Sequence, residues 1–216
     1  MEAFFQPIKL SLFISFISLI IVTILGMLIG WVMEKKIFKG KVVLDTILLL
    51  PIVLPPTVIG FLLIIIFGTN GVFGEISSFF FDQTIMFTIW AAVIAAVVVA
   101  FPLMYQSVRT GISLVDPAIE DAARVDGAGE WRVFRYITLP LIKKSTMTGV
   151  VLAFARALGE FGATLMFAGN IPGTTQTVPM AIYVAFESNK MGLAWAWVWS
   201  IIVVSFIMIG IIRKSA

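Results

Sequence analysis

Charged side chains that could act together occur at two places in an otherwise apolar chain. Arg156 and Glu160 are four residues apart, so in a helix they share one face and can form an ion pair or hold an anion. The other place is a polar, helix-forming stretch with alanines at its centre, Glu120-Asp121-Ala122-Ala123-Arg124-Val125-Asp126-Gly127. A short helix with small residues can enter a groove of a partner protein, and its charges can fix the register of docking.

Composition excludes most other chemistry. The chain is 60% hydrophobic and 12% charged, with a mean hydropathy of +1.08, whereas soluble domains carry about 25% charged residues. It has no Cys and no His, which excludes disulfides, thiolate chemistry and the usual neutral-pH proton switch. It also lacks the G-x-x-x-x-G-K-[ST] phosphate loop. We therefore predict a membrane protein with no catalytic residues, no metal site and no cofactor of its own.

Five apolar stretches are long enough to be membrane spans, since a helix needs about 20 apolar residues to cross the hydrocarbon core. They predict a single all-α transmembrane domain, 1–216, with spans at 10–33, 46–67, 84–108, 145–168 and 192–212. Glycines and prolines interrupt residues 161–186, where we expect an outer loop and a short or re-entrant helix. A continuous helix at that point would make a sixth span.

The positions of Lys and Arg predict the orientation, because cytoplasmic loops are enriched in these residues. With five spans and the N-terminus outside, all Lys and Arg residues fall on the inner side except Lys9, Arg156 and Lys190. A sixth span would place Arg213 and Lys214 outside, against this rule. We therefore expect an external N-terminus and a cytoplasmic C-terminus.

Residues 109–144 form the only long polar loop. Asp116 and Pro117 are typical of a helix N-cap and first turn, and Gly127 and Gly129 should end or bend that helix. A second helix should then lie along the inner face of the membrane as far as Leu139-Pro140. The loop could instead rest on lipid headgroups, but its five acidic side chains argue against an anionic lipid surface.

Charges and prolines inside the predicted spans should face protein or water. Arg156 and Glu160 would each cost roughly 2.5–3.5 kcal/mol at a lipid-exposed helix centre. Two interpretations stay open for them: the lining or gate of an anion route, and a buried pair that orients helices, which we favour. Pro55 and Pro56 should bend the second span, where they either line a pathway or serve packing alone.

Small and aromatic residues indicate packing rather than chemistry. Gly26 and Gly30 have the small-xxx-small spacing that allows close helix contact. Trp195, Trp197 and Trp199 are expected to form an aromatic belt at the outer membrane interface.

The polar stretch resembles the cytoplasmic EAA loop of ABC-transporter permeases. That pattern reads E-A-A, three residues, G, nine residues and I-x-L-P. Here Ala122, Ala123 and Gly127 are in register with it, and so is Ile137-Thr138-Leu139-Pro140. Asp121 stands where the family usually has Glu, and Glu120 precedes it. The resemblance implies that these residues dock onto a separate ATPase subunit: Glu120, Asp121, Ala122, Ala123, Arg124, Asp126 and Gly127.

Two further segments resemble oxyanion permeases. The segment Leu54-Pro55-Pro56-Thr57-Val58-Ile59-Gly60 is similar to an LPP-V-G motif of that group. Residues 158–183, which read LGEFGAT and then NIPGTTQTVP and AIY, are similar to molybdate permease subunits. The likeness extends over residues 10–212 and implies the permease fold of type I ABC importers. The same likeness implies five candidate residues for the pathway or its gate: Pro55, Pro56, Arg156, Glu160 and Thr164.

The resemblance also implies function and partners. The chain would be a permease that moves molybdate or tungstate across the cytoplasmic membrane of a prokaryote. Expected partners are a second copy in a homodimer, two ABC ATPase subunits that carry ATP and Mg, an extracytoplasmic oxyanion-binding protein and the lipid bilayer, with no nucleic acid.

Three alternatives remain from the sequence. One is a sulfate-type permease of the same architecture. Another is a gradient-driven secondary transporter, which would need intramembrane ion ligands and usually paired repeats. The third is a structural membrane protein without a transport role, which the long polar loop disfavours.

Overall fold

The structure, a computed structural model, is helical and describes residues 2–69, 71, 74 and 84–214. No strand occurs among these residues. The helices are α1 (Glu2–Lys35), α2 (Lys41–Val53), α3 (Pro56–Phe67), α4 (Ile89–Ser113), α5 (Pro117–Val125), α6 (Glu130–Leu141), α7 (Lys143–Leu158), α8 (Gly162–Ala168), α9 (Val178–Glu187) and α10 (Met191–Lys214). The middle of α6, Phe134–Thr138, is π-helical. The prediction of an all-α membrane fold is confirmed.

Helix α4 is the centre of the bundle, with α1 on one side and α7 on the other. It can be surrounded closely because much of its buried surface is alanine: Ala91, Ala92, Ala95, Ala96 and Ala100. The predicted small-residue face of α1, formed by Gly26 and Gly30, packs directly against α4. A Cβ atom added to Gly26 would lie 2.7 Å from Cγ of Met104, and one added to Gly30 would lie 3.0 Å from Cγ1 of Val108. The packing role of both glycines is confirmed.

The predicted span 46–67 is not one helix, and this corrects the prediction of a single bent span. Helix α2 ends at Val53 and α3 begins at Pro56. Leu54 and Pro55 both precede a proline, and both are extended, with ψ 139°. A residue before proline is pushed out of the helical region by the proline Cδ. Two prolines in succession therefore separate the helices completely.

The predicted span 145–168 is also broken and needs the same correction. Helix α7 ends at Leu158, and α8 begins at Gly162. Between them the carboxylate of Glu160 accepts a hydrogen bond of 2.7 Å from the backbone N–H of Ala163. A side chain that caps a new helix in this way competes with continuation of the old one.

Three helices of the described part are long and apolar enough to cross a membrane on their own: Ala3–Lys35, Ile89–Ser113 and Met191–Ile211. A fourth results if α6 and α7, which are bent by 75°, count as one. The observed ends of two of these helices differ from the predicted ends of the first and third spans. The first helix extends well beyond 10–33, and the third begins five residues after position 84, at a Thr88 N-cap whose hydroxyl accepts a 3.3 Å hydrogen bond from Ala91 N–H.

The segment before α10 contains a loop and the short helix α9, as predicted. The structure corrects the tryptophan prediction at Trp197. Trp195 and Trp199 are exposed, but Trp197 is buried and its indole stacks on Phe4 with ring centroids 5.9 Å apart. Its Nε1–H donates a 3.0 Å hydrogen bond to the Phe4 carbonyl. Trp197 therefore joins α10 to the start of α1 instead of facing lipid.

The close approach of α1 and α4 gives a stability prediction. Gly26→Leu should lower the thermal unfolding temperature of the purified protein, because forced overpacking typically costs about 1–3 kcal/mol. Gly210→Leu is the matched control, since no heavy atom lies within 4 Å of an added Cβ at that position. Equal unfolding temperatures for the two variants, measured in the same detergent, would contradict the packing described here.

Candidate functional site

Helix α5, at the centre of the polar loop, has well-defined ends. The Asp116 carboxylate accepts a 2.9 Å hydrogen bond from Ala118 N–H, and Pro117 is the first helical residue. At the other end Gly127 has φ +87°. Its N–H donates to the Arg124 carbonyl, and Ala128 N–H donates to the Ala123 carbonyl, both at 3.0 Å. This is the Schellman arrangement, which needs a residue in the left-handed region and so favours glycine. The predicted cap and glycine bend are confirmed.

Glu120 attaches α5 to the body of the protein. Its side chain is 2% exposed and forms an ion pair with Lys35, the last residue of α1. The Thr138 hydroxyl, in the π-helical part of α6, donates a 2.7 Å hydrogen bond to the same carboxylate. Glu120 was predicted to be a docking residue, whereas the structure turns its side chain inward, into the protein. We call the contact of Glu120 with Lys35 and Thr138 the Glu120 latch.

Arg124 joins α5 to the first residue of α6, Glu130. Its guanidinium donates to Asp121 at 2.7 Å and to both carboxylate oxygens of Glu130 at 2.7 and 3.2 Å. It also lies 3.6 Å from Glu120. Hydrogen bonding to Arg124 lowers the pKa of Glu130 below its usual value, since a bound guanidinium favours the charged carboxylate. Arg124 is thus paired within the chain, while no described residue forms an ion pair with Asp126.

The outer face of α5 consists of small and apolar residues. Ala118, Ala122 and Val125 recur at i, i+4 and i+7, so they form one stripe, and all three are exposed. Val125 is 87% exposed. The stripe lies opposite Glu120, because two residues correspond to about 200° around a helix. We call Ala118, Ala122 and Val125 the α5 outer face. Ala122 was among the predicted docking residues; Ala118 and Val125 were missed, although their spacing in the sequence shows the pattern.

A second ion-pair cluster lies beside the Glu120 latch and was also missed. Arg109, near the end of α4, donates to Glu34 of α1 at 3.0 Å and to Asp45 of α2 at 2.6 Å. The Tyr105 hydroxyl donates to Asp45, also at 2.6 Å. Glu34 and Lys35 are neighbours in sequence, so the end of α1 binds α4 and α2 through one residue and α5 through the next. Nothing in the local pattern of these segments shows that they meet.

The predicted pathway residues come together at the two helix breaks. Arg156 and Glu160 form an ion pair of 2.5 Å, with Glu160 buried and the Arg156 side chain 31% exposed. The other Glu160 oxygen caps α8, as described above. A Cβ atom added to Gly162 would lie 3.0 Å from Cβ of Pro56, so the break before α8 packs against the break before α3. Thr164 is buried in α8.

The pathway residues therefore form a group separate from the docking residues of the loop. Both carboxylate oxygens of Glu160 are bonded within the protein, one to Arg156 and the other to Ala163 N–H; the role of the pair stays a prediction. Among the described residues, no group of His, Cys, Asp and Glu side chains could hold a metal ion.

The sequence is similar to several permease proteins of bacterial transport systems. YvgM of Bacillus subtilis is 55% identical over 98% of this chain and 93% of its own length. ModB of Escherichia coli, named a molybdenum transport system permease protein, is 45% identical over 85% of this chain and 80% of its own length. A sulfate transport system permease protein, CysW of Synechococcus elongatus, is more distant at 33% identity over 88% of this chain and 66% of its own length.

A solved structure supports the same fold. The bacterial ABC transporter involved in the import of the acidic polysaccharide alginate superimposes with a TM-score of 0.81 over 100% of this chain and 79% of the other. The sequence identity is 20%, so this likeness concerns the fold alone. It confirms the permease fold expected from the sequence.

Residues 22–215 match the family described as binding-protein-dependent transport system inner membrane component. This match covers most of the chain, and the named relatives are transport permeases rather than enzymes. The chain therefore belongs to the family of inner-membrane components of binding-protein-dependent ABC importers, and it is a multi-pass membrane protein.

Proposed function

We propose that this chain is the permease subunit of an ATP-driven importer of molybdate, with tungstate as a second substrate of the same tetrahedral dianion class. The identity to a named molybdenum permease exceeds that to a named sulfate permease, 45% against 33% over similar shares of this chain. This difference supports molybdate over sulfate. The gradient-driven alternative loses support, because a binding-protein-dependent family obtains its energy from a partner.

The α5 outer face is the observation that carries the proposed coupling to an ATPase. It is a stripe of small and apolar side chains on a helix of the polar loop, and no described residue covers it. The Glu120 latch and Arg124 fix the helix from behind, so its free side is held in one orientation. Such a helix suits insertion into a groove of another protein. ATP and Mg would bind to that partner and not to this chain.

The assembly that fits this surface contains two copies of the chain and two ATPase subunits, with an oxyanion-binding protein on the opposite side of the membrane. The two ion-pair clusters, the polar loop and its basic residues all lie at one end of the bundle. The pair Phe4 and Trp197 lies at the other end. Under the rule that cytoplasmic loops are enriched in Lys and Arg, the loop end is cytoplasmic and the N-terminus external.

Transport by this assembly would depend on transmitting motion from α5. Closure of the ATPase subunits around ATP would displace α5, and the Glu120 latch would pass the displacement to α1 and α6. The bend between α6 and α7 would carry it towards Arg156 and the breaks before α3 and α8. ATP hydrolysis would return the helices to their starting positions.

The proposed function is tested by co-purification and uptake. The tagged chain, extracted in mild detergent, should bring a stoichiometric ATPase subunit whose activity rises with added molybdate-loaded binding protein. Reconstituted vesicles should take up molybdate, and excess sulfate should compete weakly. Strong sulfate uptake without molybdate uptake would favour the sulfate alternative, and uptake without any ATPase would favour the gradient-driven one.

Docking through the α5 outer face can be tested by introducing charge. Ala122→Glu and Val125→Glu should each weaken association with the ATPase by at least about tenfold, because an unpaired carboxylate would be buried in the groove. Ile37→Glu is the matched control, since Ile37 is 97% exposed in the neighbouring inner loop. The measurement is the amount of ATPase retained on the tagged chain; full retention by both variants would reject this face as the docking surface.

The Glu120 latch should matter for coupling rather than docking. Glu120→Ala would leave the buried Thr138 hydroxyl without its acceptor, at a cost of about 1–3 kcal/mol, and would free Lys35. The ATPase should still co-purify, while molybdate uptake per ATP hydrolysed falls. Glu120→Gln keeps an acceptor for Thr138 and should recover part of the coupling. If the alanine variant transports with unchanged stoichiometry, the latch has no part in transmission.

Arg156 should act on the anion rather than only on stability. One of its five N–H donors binds Glu160, no other described residue accepts a hydrogen bond from it, and the side chain is partly exposed. The remaining donors could therefore bind an oxyanion. Arg156→Gln should lower molybdate uptake several-fold with a small change in unfolding temperature. Unchanged uptake together with a clearly lower unfolding temperature would assign the pair a purely structural role.

A further inference from the structure

The exposed side of α6 and of the start of α7 carries four basic side chains. Arg132 and Arg135 lie on α6, and Lys143 and Lys144 are the first two residues of α7; all four are exposed. No described residue forms an ion pair with any of them, whereas Arg124 of the neighbouring helix is paired with three carboxylates. We call Arg132, Arg135, Lys143 and Lys144 the α6 basic face.

Helix α6 lies at the level where the membrane-spanning helices end. Trp31, four residues before the end of α1, contacts Phe134 and Trp131 of α6, with ring centroids 4.9 and 6.4 Å apart. A Cβ atom added to Gly111, in the last turn of α4, would lie 3.1 Å from Cβ of Ile142, the residue after α6. Both α1 and α4 are long and apolar enough to span a membrane. Contact with their final turns places α6 at the depth of the lipid headgroups.

The bend after α6 sets this helix across the direction of the bundle. Helix α6 is bent by 75° from α7, so it runs along the membrane surface. Its buried side chains, Val133, Phe134 and Thr138, face α1 and the Glu120 latch. The side with Arg132 and Arg135 therefore faces away from the bundle, towards the surrounding headgroups.

The acidic side chains of the loop, which argued against an anionic lipid surface in the sequence, are largely neutralised by other residues. Arg124 binds Asp121 and Glu130, and Lys35 binds Glu120. Two positive charges thus offset three negative ones in this cluster, which leaves one net negative charge against the four positive charges of the α6 basic face.

The chain itself offers too few free carboxylates to cover the α6 basic face. The remaining acids of the loop are Asp116, which caps α5 at its first turn, and Asp126. The same face of a second copy would bring like charges together, which is unfavourable. The partner that fits is therefore an anion from outside the chain.

Apolar side chains between the cations favour a lipid over a soluble anion. Trp131, Tyr136 and Leu141 are exposed on α6. Trp and Tyr are enriched at the headgroup level of membranes, and helices that lie in the interface combine such residues with Lys and Arg. A phospholipid offers both a phosphate, whose oxygens match the geometry of an arginine guanidinium, and an acyl chain for the apolar side chains.

We propose that the α6 basic face binds the headgroups of anionic phospholipids and holds the polar loop at the membrane surface. The inference rests on the proposed cytoplasmic position of the loop, since the cytoplasmic leaflet is rich in anionic lipid, and not on the transported substrate. Headgroups bound on the exposed side of α6, and the Thr138 contact with Glu120 on its buried side, would together fix the position of α5. The lipid would thus support the α5 outer face from behind.

Lipid-specific fluorescence quenching tests this proposal. Because the chain has no Cys, Tyr136→Cys carries a single fluorescent label beside the α6 basic face. The labelled full chain, assembled with its ATPase subunit, is placed in nanodiscs with phosphatidylglycerol or phosphatidylcholine that bears a nitroxide quencher near the headgroup. The association constant should be about tenfold higher for phosphatidylglycerol. Phe206→Cys is the control on the exposed apolar surface of α10, where the ratio should be near one.

Removal of charge should abolish this preference. Each cation near an anionic surface strengthens binding about fivefold, so Arg132→Gln combined with Arg135→Gln should bring the ratio at Tyr136→Cys close to one. Lys36→Gln combined with Lys39→Gln is the matched control, because it removes two exposed cations of the neighbouring inner loop and should leave the ratio unchanged.

The same double arginine variant separates a lipid from a protein partner. It should retain the ATPase in lipid-free detergent as the unmodified chain does. In vesicles that contain phosphatidylglycerol, its molybdate uptake per ATP hydrolysed should fall to the level of the unmodified transporter in phosphatidylcholine alone.

Several outcomes would overturn the proposal. A ratio near one in the unmodified chain, or an equal loss in both double variants, would show that the α6 basic face does not select anionic lipid. Loss of the ATPase in detergent would assign this face to the ATPase, and a disulfide between two unlabelled copies of Tyr136→Cys would assign it to a second copy. The quenching ratio does not depend on transport, so absence of molybdate uptake by the unmodified complex would overturn the proposed function alone.

Discussion

The loop of this permease depends on one buried carboxylate. Glu120 is enclosed between the end of α1 and the π-helical part of α6, and its bonds to Lys35 and Thr138 determine which way α5 faces. They attach a nine-residue helix, of a length that is marginal on its own in water, to α1 and α6, while Arg124 joins the same helix to Glu130. The exposure of Ala118, Ala122 and Val125 follows from the burial of Glu120 on the other side of the same helix.

The remainder of the structure shows how helices can be interrupted within an apolar bundle. The two consecutive prolines Pro55 and Pro56 separate α2 from α3. The Glu160 side chain, which caps α8, separates α7 from α8. The two breaks pack against each other at Pro56 and Gly162. Backbone groups freed at membrane depth need partners from the protein, and the Glu160 carboxylate supplies one for Ala163. The unbroken helices α1 and α4 pack tightly through glycine and alanine and provide the frame around these breaks.

Sequence predicted those features whose causes are local. The cap at Asp116, the bend at Gly127 and the close face of Gly26 and Gly30 each depend on residues within a few positions. The break at Pro55 and Pro56 was predicted only as a bend, because proline spacing does not show whether the helix resumes at once. The break before α8 was not predicted, since it depends on the Glu160 carboxylate and not on proline. The ion pair between Arg109 and Glu34 joins residues 75 positions apart, and the direction in which Glu120 points depends on Lys35, 85 positions away. Such contacts follow from how the helices pack, which no local pattern records.

The length of α1 has a mechanical consequence. At about 1.5 Å per residue, its 34 residues extend well beyond the roughly 30 Å of hydrocarbon. One end is joined to α5 through Lys35, and the other to α10 through Phe4. A rigid rod pivoting in the bundle moves its two ends in opposite directions, as a seesaw does. Under the proposed function, a sideways push on the polar loop would therefore displace the Phe4 end of α1 in the opposite direction, in addition to the displacement carried by the bend between α6 and α7.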